Sequence, residues 1–88
     1  MGKYRVLIKR PAKKELLAVS TKRDRQRIAR RIQALADDPR PPGCQKLSGY
    51  DRYRLRQGQY RIVYEVREAE VVVVVVRIGH RRVVCRSN

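Results

Sequence analysis

A chain of 88 residues makes one domain with a thin core, because folding at that size buries only about 60–65% of the surface the unfolded chain exposes. A deep, enclosed substrate pocket is excluded, so any ligand is met on a shallow surface. Lys and Arg number 23 against 8 Asp and Glu, a formal charge of +15, which favours nucleic acid or an acidic protein as partner and puts an anionic membrane last.

Nothing in the chain approaches the roughly 20 apolar residues of a spanning helix, and the longest apolar run, residues 71–76, is strand-like. Residues 1–10 carry scattered charges and no apolar stretch, so no secretory signal is expected. A cytoplasmic protein with Cys44 and Cys85 reduced follows. Two distant cysteines and the single His80 do not have metal-ligand spacing, and no metal or cofactor is expected.

Residues 4–9 (YRVLIK) are rich in β-branched and aromatic side chains and predict a first strand. Pro11 suits the start of a helix, where its missing N–H costs nothing, and Ala12, Leu16 and Val19 follow at helical spacing. A short helix over residues 11–19 is predicted. Thr21 followed by Asp24 has the spacing of a capping box and begins a second helix with the apolar stripe Ile28, Ile32 and Leu35. Its other side carries Lys22, Arg23, Arg27, Arg30 and Arg31, which is either a solvated face or a secondary contact for RNA or an acidic partner.

Residues 37–43 (DDPRPPG) cannot continue a helix and form a stiff connector leading to Cys44, Gln45, Lys46 and Leu47. Three further strands are expected over residues 52–57, 60–66 and 71–78, the first two joined by the two-residue turn Gly58-Gln59. The six valines show no alternation, so neither face can be assigned, but a continuous apolar run implies a central strand covered on both sides. The expected fold is α+β in two layers: an N-terminal strand and a helical hairpin packed on a four-stranded, mainly antiparallel sheet.

The tight turn fixes a register: Gln57 with Tyr60, Arg56 with Arg61, Leu55 with Ile62, Arg54 with Val63, Tyr53 with Tyr64, and Arg52 with Glu65. Tyr53, Leu55, Ile62 and Tyr64 then face the helices, while Arg52, Arg54, Arg56, Arg61 and Glu65 share the opposite face. Opposed like charges destabilise a sheet, and Glu65 offsets only the Arg52 end. Such a cluster invites a bridging anion, and the planar fork of arginine matches phosphate oxygens. Gly79 is expected to bend the chain and bring His80 or Arg81 toward the same basic face. His80 is the only imidazole and the side chain best matched to proton transfer near neutral pH.

With these residues in view, the sequence resembles the RelE/ParE toxin superfamily over nearly its whole length. The similarity runs through residues 4–8, Ala12-Lys13-Lys14-Glu15-Leu16, residues 38–43, Lys46-Leu47, Tyr53-Arg54-Leu55-Arg56, Tyr60-Arg61-Ile62-Val63-Tyr64 and Arg77-Ile78-Gly79-His80-Arg81. The Gly-His-Arg ending after a valine strand is more like the RelE branch than the ParE branch.

The resemblance implies a toxin that cuts mRNA on the ribosome without a metal and is held inactive by an acidic cognate antitoxin. It implies attack of a ribose 2′-hydroxyl on the adjacent phosphate. Arg54, Arg56, Arg61 and Arg81 then orient the phosphate and stabilise the transition state, with His80 as an acid or base. Arg52, Lys46, Arg82 and residue 85 complete the expected RNA contact. Many relatives place a tyrosine where Cys85 stands, and a thiol does not stack on a base, so reduced cleavage is expected. The alternatives are a ParE-like gyrase poison and a basic RNA-binding module without activity.

Overall fold

The computed structural model describes residues 3–47 and 51–80; Tyr50, Arg81, Arg82 and Cys85 lie outside the described residues. In chain order the elements are β1 (Arg5–Ile8), α1 (Arg10–Leu17), α2 (Lys22–Ala34), β2 (Gln45–Leu47), β3 (Arg52–Gln57), β4 (Tyr60–Arg67), a 3-10 turn (Glu68–Glu70) and β5 (Val72–His80).

Local chemistry accounts for most boundaries. Pro11 sits in the first turn of α1, where no intrahelical N–H is needed. Thr21 caps α2, its Oγ1 accepting from the Asp24 N–H at 3.2 Å. Ile28, Ile32 and Leu35, one turn apart, are buried against the sheet together with Ala12 and Val19.

The sheet has five strands, not four, in the order β1-β5-β4-β3-β2, with β1 parallel to β5 and every other pair antiparallel. The extra strand is β2, three residues long and polar at two of them (QKL), which carries no periodicity of its own. It exists because it pairs with the edge of β3: Gln45 with Arg54, Lys46 with Tyr53, and Leu47 with Arg52.

The main core lies between the helices and one sheet face, and includes Tyr53, Leu55, Ile62, Tyr64, Val66, Val73, Val75 and Ile78. A second cluster of Val63, Val72, Val74 and Val76, with Leu47 against it, lies on the other face. The valine strand is thus interior and buried on both sides, as its unbroken apolar run implies. Val71 itself belongs to the preceding turn, in the left-handed region at φ 55° and ψ 50°.

One irregularity decides the end of β5. Arg67 to Tyr64 pair with Val72 to Val75 in step, but Val63 then pairs with Arg77, leaving Val76 as an extra residue. This β-bulge flips the alternation of everything after it. Ile78 and His80 consequently pair with Ile62 and Tyr60 on the helix side, and Gly79 pairs with Arg61 on the other.

Candidate nucleic-acid interface

The β3–β4 hairpin has the register that its turn dictates, all six pairs from Arg52–Glu65 to Gln57–Tyr60. Gly58 supplies the positive φ, 60°, that the first position of a type II′ turn demands. Arg54, Arg56 and Arg61 therefore project from one face and line a shallow pocket of about 140 Å³ together with Gly43 and Gln45. That volume is on the scale of a phosphoryl group with a few waters, taking roughly 30 Å³ for each water. Across from Arg61 on β5 stands Gly79, which brings no side chain to that flank.

Arg52 behaves differently from its strand neighbours. Its Nε donates to Glu65 Oε2 at 2.9 Å, and Arg67 Nη2 reaches Glu65 Oε1 at 3.2 Å. Burial acts to raise the Glu65 pKa, but hydrogen bonds and charge from Arg52 and Arg67 outweigh it and hold the carboxyl below the usual range. Arg52 thus belongs to an ion-pair network at the far end of the hairpin. The larger concavity beside that network, about 470 Å³, is bordered by Asp51, Glu65 and Glu68 as well as Arg52 and Arg67. Its mixed signs suit a polyanion poorly.

Other candidates are dispersed. Lys46 pairs with Tyr53, so its row is that of the helix side, and its Nζ lies 4.0 Å from Asp51. The expected bend at Gly79 is absent, because residues 79 and 80 continue β5. His80 sits on the helix side, edge-on to Tyr60 with ring centroids 6.0 Å apart and Nε2 3.3 Å from Gln59 Oε1. Both rings border a shallow hollow with Glu15 and Val19. The bulge at Val76 is what separates His80 from the arginines. Arg81, Arg82 and Cys85 fall outside the described residues.

Gly43 and Gln45 are pocket residues that sequence reasoning missed. Gly43 adopts φ 92°, a conformation that favours glycine, and so turns the connector into β2. The connector is pinned from the core side. The fully buried Tyr64 hydroxyl donates to the Pro39 carbonyl at 2.6 Å, and burial pushes its pKa up. Arg40 Nε donates to Tyr53 Oη at 2.9 Å while its guanidinium lies over the Tyr53 ring, 5.3 Å from the centroid. The same guanidinium pairs with Glu68 at 2.5 Å, and Tyr4 donates to that carboxylate at 2.8 Å. Tyr53, stacked on Tyr64 at 5.7 Å, is committed to this scaffold, whereas Tyr60 is half-buried.

The basic residues Lys22, Arg23, Arg27 and Arg30 of α2 are exposed, in the helical layer on the opposite side of the sheet from the pocket. Among the described residues no cluster of three His, Cys, Asp or Glu has the arrangement of a metal site, and no helix is long and apolar enough to cross a membrane.

This architecture, two helices on one face of an open sheet whose other face carries an arginine pocket, is that of a small toxin fold. The chain belongs to the RelE/ParE toxin superfamily: the family model for the ParE toxin of type II toxin-antitoxin systems (parDE) matches residues 6–84. Among solved structures it is similar to a double mutant of the E. coli toxin RelE in the free state. There the identity is 29% and the TM-score 0.75, covering 94% of this chain and 87% of that one. It is also similar to the RelE-RelB complex of Pyrococcus horikoshii OT3, at 27% identity and TM-score 0.77 over 90% of this chain and 96% of that one. The RelB-RelE antitoxin-toxin complex of Methanococcus jannaschii gives 26% and 0.71 over 92% and 96%. No curated protein sequence matches the chain. The protein is a RelE-type toxin of a toxin-antitoxin system.

Proposed function

We propose that this toxin is a metal-independent endoribonuclease that cleaves mRNA on the ribosome. The observation that carries the reading is the convergence of Arg54, Arg56 and Arg61 on one phosphate-sized pocket. Preorganised cations aimed at developing charge supply much of the catalysis in phosphoryl chemistry. In the proposed step the 2′-oxygen forms a bond to the adjacent phosphorus as its proton leaves. The bond from phosphorus to the 5′-oxygen breaks, and that oxygen takes up a proton. The products are a 2′,3′-cyclic phosphate and a free 5′-hydroxyl.

Arg54, Arg56 and Arg61 hold the non-bridging oxygens, with Arg81 as a fourth cation from the segment after β5. Arg82 and Lys46 add RNA contacts, and residue 85, a cysteine, leaves base stacking to another group. The expected partner is an acidic antitoxin, in keeping with the RelB-bound relatives, and the expected place of action is the cytoplasm. The formal charge of +15 gives such an antitoxin a strong electrostatic handle.

The description of the matching family as ParE favours a second reading, poisoning of DNA gyrase through protein contact. Primer extension on a translated mRNA after induction separates the two. Cuts at fixed codon positions support the ribonuclease; DNA breaks with intact mRNA support the gyrase poison.

A further inference from the structure

We infer that Gln45 is a positioning residue of the arginine pocket, holding Arg54 in place with a neutral acceptor; the inference rests on the phosphate-binding reading above. Gln45 and Arg54 are direct cross-strand partners, and Gln45 Oε1 accepts from Arg54 Nη2 at 2.5 Å. Both side chains line the pocket with Arg56 and Arg61. Two residues back along β3, Arg52 is held instead by the carboxylate of Glu65, which cancels its charge. The two devices have opposite electrostatic consequences. A carboxylate fixes an arginine and neutralises it, whereas an amide oxygen fixes it and adds no opposing charge. The amide also ends in an N–H₂ group, a donor that suits an anion and that a glutamate lacks.

The role of β2 follows from this. Three residues make a strand of marginal worth by themselves. Their placement, fixed by Gly43 and the pinned connector, brings one neutral hydrogen-bonding side chain to the flank of a three-arginine cluster.

The test uses the full chain and a fluorescein-labelled single-stranded RNA oligonucleotide, with anisotropy measured across a salt series. Gln45→Ala is expected to weaken binding roughly tenfold, the scale of one charge-assisted hydrogen bond. Gln45→Glu keeps the acceptor for Arg54 but cancels its charge. It should fold with an unchanged melting temperature, bind at least as poorly as Gln45→Ala, and flatten the slope of log Kd against log salt by about 0.7, one phosphate contact on a single strand. A purely structural brace predicts the reverse, with Gln45→Glu rescuing what Gln45→Ala loses. If Arg61→Ala loses RNA while both Gln45 variants bind like wild type, the role of Gln45 is overturned and the pocket stands. If Arg61→Ala binds like wild type, the phosphate reading falls and the role of Gln45 falls with it. Should Gln45→Ala unfold, the Gln45→Glu comparison decides alone.

Discussion

Arg56 and Arg61 face each other across the β3–β4 ladder, two cations in a position where a sheet ordinarily places an attractive or neutral pair. The arrangement costs stability, on the order of 0.2–1 kcal/mol for an opposed like-charged pair. An anion bound between them would offset that cost.

Arg61→Ala should therefore fold at least as well as wild type and yet lose function. Melting temperature is expected to stay level or rise slightly, while mRNA cleavage falls by roughly 10²–10³, the usual effect of deleting one transition-state donor. A parallel loss of stability and activity would show that Arg61 acts as structure.

His80 has a different expectation. Its row is on the helix side with Tyr60, so His80→Gln should leave cleavage within about threefold of wild type and leave its pH profile unchanged. A loss near 10²-fold with an altered profile would make it the proton-transfer group after all.

Glu15 joins α1 to the end of β5. Its Oε1 accepts the Ile78 N–H at 2.9 Å, and Arg77 Nε lies 3.2 Å from Oε2, beyond the point where β1 stops pairing with β5. Glu15→Ala should cost about 1–2 kcal/mol and accelerate hydrogen exchange at the Ile78 amide more than elsewhere in the sheet. Uniform exchange across β5 would count against this bracing.

Val71 is a β-branched residue held in the left-handed region, an arrangement that costs of order 1 kcal/mol or more. Val71→Gly is expected to raise stability by about 1 kcal/mol despite the added freedom of the unfolded chain. Chemical denaturation that shows a lower midpoint would mean the Val71 side chain contributes more than its backbone costs.

Acid stability follows from Glu65 and Glu68, both held below the usual carboxylate range. For Glu65, burial raises the pKa and the arginine contacts outweigh it; for Glu68, hydrogen bonds from Tyr4 and Arg40 lower it. A folded pKa below the unfolded one stabilises above the unfolded value, about 4.3, and that stability is lost as pH falls through the folded value. Melting temperature should drop from about pH 5 downward, and Glu65→Gln should drop less steeply. Identical slopes would contradict the Glu65 network.

The hairpin was legible because a two-residue turn fixes register and alternation fixes faces, so Tyr53, Leu55, Ile62 and Tyr64 declared themselves inward. The Thr21 cap and the Ile28, Ile32, Leu35 stripe were equally direct. What remained hidden has specific causes. β2 is too short and polar to announce itself, which concealed Gln45. The valine run carries no alternation, so nothing in it marks Val76 as the bulged residue. Counted without that bulge, His80 falls on the arginine face; with it, His80 falls on the other.

Ribonuclease action at the arginine pocket is read most directly from the ends of cleaved mRNA. Purified wild type and Arg61→Ala should be mixed with ribosomes stalled on a defined mRNA, and the fragment ends analysed chemically. Codon-positioned cuts ending in 2′,3′-cyclic phosphate are expected for wild type and almost none for Arg61→Ala. Intact mRNA with the wild-type protein, or equal cutting by both, would contradict it.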